Sequence, residues 1–199
     1  MLKVAKFGGS SMADAGQYAK VKAIIDSDEA RTVVVVSAAG KRNKDDHKIT
    51  DLLYLCYAHL QYGVDCMGVF DMIADRYREI CRALSLGVDI ERELDAVRSE
   101  LKSGVSQDWL VSRGEYFSAL LLADYLGFDF LDSSQWLKFK FDGTIDRDAS
   151  YEALSELAAD RRVVIPGFYG VMPDGRIRVM TRGGSDITGA LAAAALDAD

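Results

Sequence analysis

Two glycine-rich segments of the sequence place a charged side chain beside backbone that a ligand can approach closely. The first is Lys6–Ser11 (KFGGSS), which joins a predicted strand to a predicted helix. Successive glycines let backbone N–H groups point at an anion, and the N-terminus of a helix favours negative charge. Lys6 would stand at the edge of this turn as a point charge. The segment has neither the Walker P-loop pattern nor GxGxxG, and a tight turn with a surface lysine is the alternative.

The second segment is Thr181–Asp186 (TRGGSD), again between a predicted strand and a predicted helix. It combines two glycines with the guanidinium of Arg182, which suits a carboxylate or a phosphate, and with the side chains of Ser185 and Asp186. Ser185 or Asp186 could instead be the N-cap of the helix. Because capping does not explain the arginine and the glycine pair that come before it, the segment favours a binding site.

Three further residues are candidates on weaker grounds. Ser37 ends a strand of four valines, at the edge where open α/β sheets bind ligands, although a serine there also forms turns. Thr50 fits the N-cap of a helix that begins at Asp51. Glu115 follows Gly114 in a helical stretch, and a glycine there costs about 1 kcal/mol relative to alanine, which indicates close packing. By itself, Glu115 has the pattern of a solvated helix residue.

The composition argues against several classes of function. The chain has 199 residues, of which 24 are Lys or Arg and 31 are Asp or Glu, and its net charge of −7 argues against nucleic-acid binding. No apolar run approaches the ~18 residues of a membrane span. Cys56, Cys66 and Cys81 have no CxxC spacing, and His47 and His59 stand alone, so no metal site is expected. Reduced, buried thiols indicate a cytoplasmic protein.

Short buried strands alternate with helices along most of the chain, which predicts an α/β fold with a mainly parallel sheet. A long helical region at Ile49–Gly127 separates the second strand from the third, and Ala38–Lys48 is predicted to be a polar loop. Further strands are predicted at Trp136–Phe141 and, as a hairpin, at Tyr169–Met172 and Arg176–Met180. The sheet strands are predicted at Leu2–Phe7, Thr32–Ser37, Phe128–Leu131 and Arg162–Ile165, and the other helices at Asp14–Ile25, Asp148–Ala159 and Asp186–Ala198.

Six short segments, taken in order, carry a family resemblance. They are Lys6–Ser11, Val33–Ser37, Ile49–Leu53, Val111–Glu115, Gly167–Gly170 and Arg182–Asp186. Together they closely resemble the aspartokinases, within the wider amino-acid kinase family. The resemblance runs from residue 3 to the end of the chain, and the combination of motifs is highly specific. The loop Gly40–Lys48 departs from it, since it is longer and more charged than the glycine-rich loop expected there.

The resemblance implies a fold and an activity. The fold would be a three-layer αβα sandwich with a mainly parallel sheet, as in carbamate kinase, incomplete on its C-terminal side. The activity would be ATP-dependent phosphorylation of the β-carboxylate of L-aspartate, the first step toward lysine, threonine and methionine. ATP is the expected cofactor, together with Mg²⁺ held mainly through phosphates. A cytoplasmic homo-oligomer without nucleic-acid or membrane partners is expected.

The resemblance also implies roles for residues on the phosphate side of the site. Lys6 would bind the phosphates and stabilise the charge of the transferring phosphoryl group. Gly8, Gly9 and Ser10 would line the anion-binding turn beside it. Asp186 would orient Lys6 and the reacting groups, so that Lys6 and Asp186 are the expected catalytic residues.

On the substrate side, the resemblance assigns partners to each charged group of aspartate. Glu115 would pair with the ammonium group, and Arg182 with the α-carboxylate. Ser37 and Thr50 would hydrogen-bond the β-carboxylate, and Ser185 belongs with the substrate-binding residues. A free α-amino acid is favoured because the Glu115 and Arg182 pair matches its two charges.

The resemblance further implies that residues 1–199 are the N-terminal, amino-acid-binding part of a kinase domain. The nucleotide-binding remainder and the regulatory modules would be absent from this chain, which alone would be inactive. Two alternatives stay open. One is another amino-acid kinase, acting on glutamate or N-acetylglutamate, and the other is a non-catalytic binding or oligomerisation fragment of the same fold.

Overall fold

A four-stranded parallel sheet forms the centre of the chain, of which the computed structural model describes residues 2–181 and 183–198. Its strands, β1 (Lys3–Phe7), β2 (Arg31–Val36), β3 (Asp129–Phe130) and β4 (Val163–Pro166), lie in the order β1-β2-β4-β3. All three pairings are parallel, as the alternation of strands and helices predicted. A separate antiparallel hairpin follows, made of β5 (Tyr169–Val171) and β6 (Ile177–Val179), which confirms the predicted hairpin.

Helices cover both faces of the sheet. Five of them begin at an Asp or Ser whose side chain accepts a backbone N–H from the first turn, which satisfies part of the unpaired helix end. None of the described helices has the length and apolar character needed to cross a membrane. The helices are α1 (Ala15–Asp26), α2 (Ile49–Gln61), α3 (Met67–Ala83), α4 (Ile90–Ser103), α5 (Gln107–Leu126), α6 (Ser133–Trp136), α7 (Arg147–Leu157) and α8 (Gly184–Ala195).

The valines of β2 divide the interior into two cores. Val34 and Val36 belong to the core under α1 to α5, whereas Val33 and Val35 belong to the core under α6 to α8. All four are fully buried, because successive side chains of a strand point to opposite faces and both faces are covered. The architecture is therefore the predicted αβα sandwich of three layers.

The strand predicted at Trp136–Phe141 is wrong. Trp136 ends the short helix α6, whose N-cap Asp132 accepts the N–H of Ser134 at 2.8 Å. Beyond it, Lys138 and Phe139 form only isolated bridges to Val171 and Ile145. Phe141, the last residue of the predicted strand, is 81% exposed. The alternating apolar residues imitated a strand, but the capping aspartate just before them begins a helix.

Candidate active site

A cavity of about 570 Å³ opens at the carboxyl ends of β1, β2 and β4. This is the edge at which parallel α/β sheets bind ligands. Lys6 comes from the end of β1, Ser37 follows β2 directly, and Phe168 lies two residues after β4. The predicted site residues that line the cavity are Lys6, Gly9, Ser10, Ser37, Thr50, Glu115, Ser185 and Asp186.

Gly8 and Arg182 are the two predicted site residues not in this list. Gly8 is not part of the cavity lining, although it is close to it, since a Cβ at Gly8 would lie 3.8 Å from Lys6 Nζ. Arg182 lies outside the described residues, so its assignment to the substrate carboxylate stays a prediction. The structure thus brings together segments that the sequence separates by more than half of the chain.

Lys6 and Asp186 form an ion pair at the mouth of the cavity. Lys6 Nζ lies 2.6 Å from Asp186 Oδ1, and the two side chains are 27% and 72% exposed. Gly189, one turn further along α8, lies against the stem of the lysine, because a Cβ there would be 3.5 Å from Lys6 Cβ. A pair this exposed contributes little to stability. The pair places the Lys6 ammonium group on the cavity wall, beside the first turn of α8.

Thr50, Ser185 and Asp186 are not helix caps, so the capping interpretation is wrong for all three. The N-cap of α2 is Lys48, and Thr50 is the second residue of that helix. The N-cap of α8 is Gly183, which has a φ of 79° and provides no side chain. Ser185 and Asp186 therefore lie in the first turn of α8. The first turns of both helices line the cavity, which favours an anionic ligand there.

Glu115 is a buried carboxyl group on α5 that lines the cavity, and it is only 5% exposed. Burial raises its pKa to about 8, while the backbone N–H groups of Ala38 and Glu115 and the charge of Lys6 act in the opposite direction. Its Oε2 has no hydrogen-bond partner among the described residues. A buried acceptor without a partner is costly, so this oxygen is well suited to receive a cation or a donor from a ligand.

Three glycines allow the cavity walls to approach one another. Gly40 donates its N–H to Gly9 O at 2.8 Å, and a Cβ at Gly40 would lie 2.7 Å from Gly9 C. A Cβ at Gly9 would lie 2.9 Å from Ala38 O. At Gly114 it would lie 2.7 Å from Ala38 Cβ, which confirms that this glycine marks close packing. These contacts press the glycine turn after β1 and the helix α5 against the loop after β2.

Several residues of the cavity were not among the predicted site residues. Lys41 and Lys48 belong to the polar loop, whose basic residues are the signal that could have indicated them. Phe168 has a φ of 79°, which is unusual for a residue with a side chain. Its N–H donates to Thr188 Oγ1 at 3.0 Å. Ala38, Ala39 and Gly40 were also missed and contribute mostly backbone. Gly183 and Gly184, the glycine pair of the second predicted segment, complete the lining.

Comparison with known proteins decides the family. The model of the amino acid kinase family matches residues 1–199. The chain belongs to this family. Among curated relatives, the chain is 34% identical to aspartokinase 3 of Bacillus subtilis (strain 168) and 32% identical to the lysine-sensitive aspartokinase 3 of Escherichia coli (strain K12). These alignments cover 100% and 98% of this chain but only 47% and 46% of the relatives, so the chain spans about half of their length.

Solved members of the family have the same fold. The aspartate kinase of Clostridium acetobutylicum superposes with a TM-score of 0.96 at 44% identity, over 100% of this chain and 46% of that protein. Aspartokinase III of E. coli, solved in complex with aspartate and ADP, superposes with a TM-score of 0.83 at 28% identity, over 100% and 47%. Its complex with lysine and aspartate gives the same TM-score.

Proposed function

We propose that this amino acid kinase family member takes part in the ATP-dependent phosphorylation of the β-carboxylate of L-aspartate. The observation that carries the proposal is Glu115, a buried carboxyl group on the cavity wall whose Oε2 has no partner among the described residues. It is suited to the ammonium group of a free amino acid. The proposal is supported by the aspartokinase relatives and by the E. coli enzyme, which binds aspartate and ADP.

Aspartate would lie in the cavity with each charged group opposite a complementary one. Its ammonium group would contact Glu115, and its α-carboxylate would contact Arg182. The hydroxyl groups of Ser37 and Thr50 would donate to the β-carboxylate, and Ser185 would complete the set. Ser37, Thr50 and Ser185 all line the cavity, which supports this orientation.

The transfer step needs positioning more than acid or base chemistry. A β-carboxylate is already ionised at neutral pH, so one of its oxygens can attack the γ-phosphorus of ATP directly. The bond from that phosphorus to the bridging oxygen breaks, ADP leaves, and aspartyl phosphate remains. Lys6 would stabilise the negative charge that spreads over the transferring oxygens, and Asp186, which pairs with Lys6, would orient it. Gly8, Gly9 and Ser10 would supply the turn around the phosphoryl group.

The residues of the cavity fit the polyphosphate of a nucleotide. Lys6, Lys41 and Lys48 line it, and the N-terminal turns of α2 and α8 add partial positive charge. Among residues 2–181 and 183–198 no group of three His, Cys, Asp or Glu side chains could hold a metal ion. We therefore propose that Mg²⁺ is held mainly by phosphate oxygens and that, when bound, Mg²⁺ neutralises phosphate charge. Asp186, which pairs with Lys6 on the cavity wall, would be the carboxylate beside the phosphates.

We also propose that residues 1–199 form the amino-acid-binding part of the catalytic domain, since every proposed contact to aspartate comes from this chain. Aspartyl phosphate would be the first intermediate toward lysine, threonine and methionine. The described cysteines are all free and buried, which supports a cytoplasmic location. Homo-oligomerisation stays a prediction.

The test is a hydroxylamine trapping assay on the full-length protein, which converts an acyl phosphate into a hydroxamate. We expect ATP-dependent product with L-aspartate, much less with L-glutamate, and none with N-acetyl-L-aspartate, because the acetyl group removes the charge that Glu115 would bind. A preference for glutamate, or equal rates with the acetylated substrate, would overturn the proposal. Calorimetric titration with the same three ligands separates binding from turnover.

A further inference from the structure

A single buried arginine, Arg76, binds the backbone of two segments that meet at the cavity wall: the glycine turn after β1 and the loop after β2. Arg76 of α3 is 4% exposed, and its Nη1 donates to Gly40 O at 2.9 Å and to Ala13 O at 3.3 Å. Ala13 ends the 3-10 turn that starts at Gly9, and Gly40 lies in the loop after β2. The same guanidinium group therefore binds the backbone of both segments.

The second terminal nitrogen of Arg76, Nη2, binds the same loop near its C-terminal end, at Asp46. Its Nη2 lies 2.6 Å from Asp46 Oδ2, which also accepts from Arg42 Nε at 3.0 Å. Arg42 in turn reaches Glu79, on the same helix as Arg76, at 2.7 Å. Burial alone would raise the pKa of Asp46, but hydrogen bonds from Arg42 and the charge of Arg76 hold it well below its usual range. Asp46 is therefore a carboxylate at neutral pH.

The loop held in this way carries part of the cavity lining. Lys41 follows Gly40 directly, Lys48 comes two residues after Asp46, and both line the cavity. Gly40 lies directly against Gly9, because its N–H donates to Gly9 O at 2.8 Å and a Cβ on Gly40 would lie 2.7 Å from Gly9 C. We therefore expect a displacement of Gly40 to disturb Gly9 as well.

We propose that Arg76 is a positioning residue for the substrate cavity, because it holds Ala13, Gly40 and Asp46 together and so fixes the glycine turn against the loop that carries Lys41 and Lys48. The inference rests on the proposed function for the identity of the substrate. Arg76 lies outside the cavity lining, and among its hydrogen-bond partners Gly40 is a lining residue.

The chemistry requires an arginine at this position. A planar guanidinium presents several donors in a fixed fork and can bind two carbonyl oxygens and a carboxylate at once, whereas an ammonium group is a compact point charge. Arg76→Lys keeps the charge and can keep the ion pair to Asp46. It cannot reach all three partners, so the loop would lose its register against the glycine turn.

Arg78 provides the matched control on the same helix. It binds Glu91 of α4 at 2.7 Å and Asp75 at 3.0 Å, and none of these residues lines the cavity. Because the glycine turn, Lys41 and Lys48 are proposed to contact the phosphates, we expect R76K to raise the KM for ATP in the full-length protein by roughly tenfold or more, at a temperature where circular dichroism shows both variants folded. R78K should leave that KM within about twofold of the wild type.

A second readout does not depend on activity. Trypsin cleaves after Lys and Arg, and Lys41, Arg42, Lys44 and Lys48 are all exposed. We expect limited proteolysis, read by mass spectrometry, to cut this loop several times faster in R76K than in R78K or the wild type. If R76K matches R78K in both KM and loop cleavage, Arg76 is not a positioning residue. If the wild type does not phosphorylate aspartate, the proposed function fails, and the cleavage comparison still decides the role of Arg76.

Discussion

Gly114 of α5 lies directly against Ala38, the second residue after β2, so that a Cβ on Gly114 would come within 2.7 Å of Ala38 Cβ and 3.1 Å of Leu53 Cδ1. Because the next residue is Glu115, this contact sets how deeply the carboxyl group enters the cavity. We expect Gly114→Ala to lower the free energy of unfolding by about 1–3 kcal/mol through overpacking, although alanine is the better helix former. Urea denaturation followed by circular dichroism measures the change.

Gly68 of α3 is the matched control, since nothing lies within 4 Å of the position that its Cβ would occupy. Gly68→Ala should leave stability unchanged or raise it by up to about 1 kcal/mol, as expected from helix propensity alone. If the two substitutions have the same sign and size, the contact with Ala38 does not constrain α5.

The raised pKa of Glu115 should make stability depend on pH in a specific direction. Its pKa is about 8 in the folded chain against an ordinary value of 4.5, so between these values the folded state binds a proton that the unfolded state has released. The free energy of unfolding should therefore fall as pH rises through this window. Glu115→Gln cannot titrate and should lack this contribution. Urea denaturation of both proteins at several pH values gives the difference, and parallel curves would contradict the assignment.

The same group should govern how aspartate binding depends on pH. Only an ionised Glu115 attracts the substrate ammonium group, and in the free protein burial keeps the carboxyl group protonated up to a pH of about 8. We expect the Kd for aspartate, measured by calorimetry, to fall as pH rises from about 6 toward 8. Binding should also be accompanied by proton release, visible as a dependence of the measured enthalpy on the buffer. Glu115→Gln should bind weakly at every pH and release no proton.

Lys6 should affect turnover more than substrate affinity. If it stabilises the transferring phosphoryl group, Lys6→Met should lower kcat by roughly 10²-fold or more in the full-length protein, with a smaller change in the KM for aspartate. Lys3 lies on the same strand but pairs with Asp28 at 2.9 Å, away from the cavity, so Lys3→Met is the control and should leave kcat unchanged. A nearly normal kcat for Lys6→Met would reduce Lys6 to a surface lysine beside a tight turn.

The parallel sheet could be predicted because its strands have a local signature. A run of four valines in β2 requires cover on both faces, and glycines or polar residues mark where the strands end. The same reasoning failed at Trp136–Phe141, where alternation was real but Asp132 had already started a helix. The capping interpretation failed at Ser185 and Asp186 because the N-cap is Gly183, which has a positive φ and no side chain. It failed at Thr50 because the N-cap is Lys48, whose side chain makes no capping hydrogen bond.

Contacts between residues far apart in the sequence explain why parts of the candidate site could not be predicted. Glu115 had the pattern of a solvated residue because nothing in its own helix shows that it is buried and that the backbone of Ala38, after β2, donates to it. Arg76 gave no signal, since a charged residue in an amphipathic helix is normally exposed, and its partners Gly40 and Asp46 lie on a loop far away in sequence. Motif resemblance located about half of the lining residues, but the contacts that support them depend on tertiary packing.

The order β1-β2-β4-β3 also bears on how the protein is made. A chain leaves the ribosome from its N-terminus, so β1 and β2 can pair early, but β4 emerges only after the whole helical region before it. Lys6 is synthesised 180 residues before Asp186, and the two side chains form an ion pair in the finished fold. Until that late segment emerges, the cavity lacks a wall, and neither substrate nor nucleotide can stabilise the nascent chain.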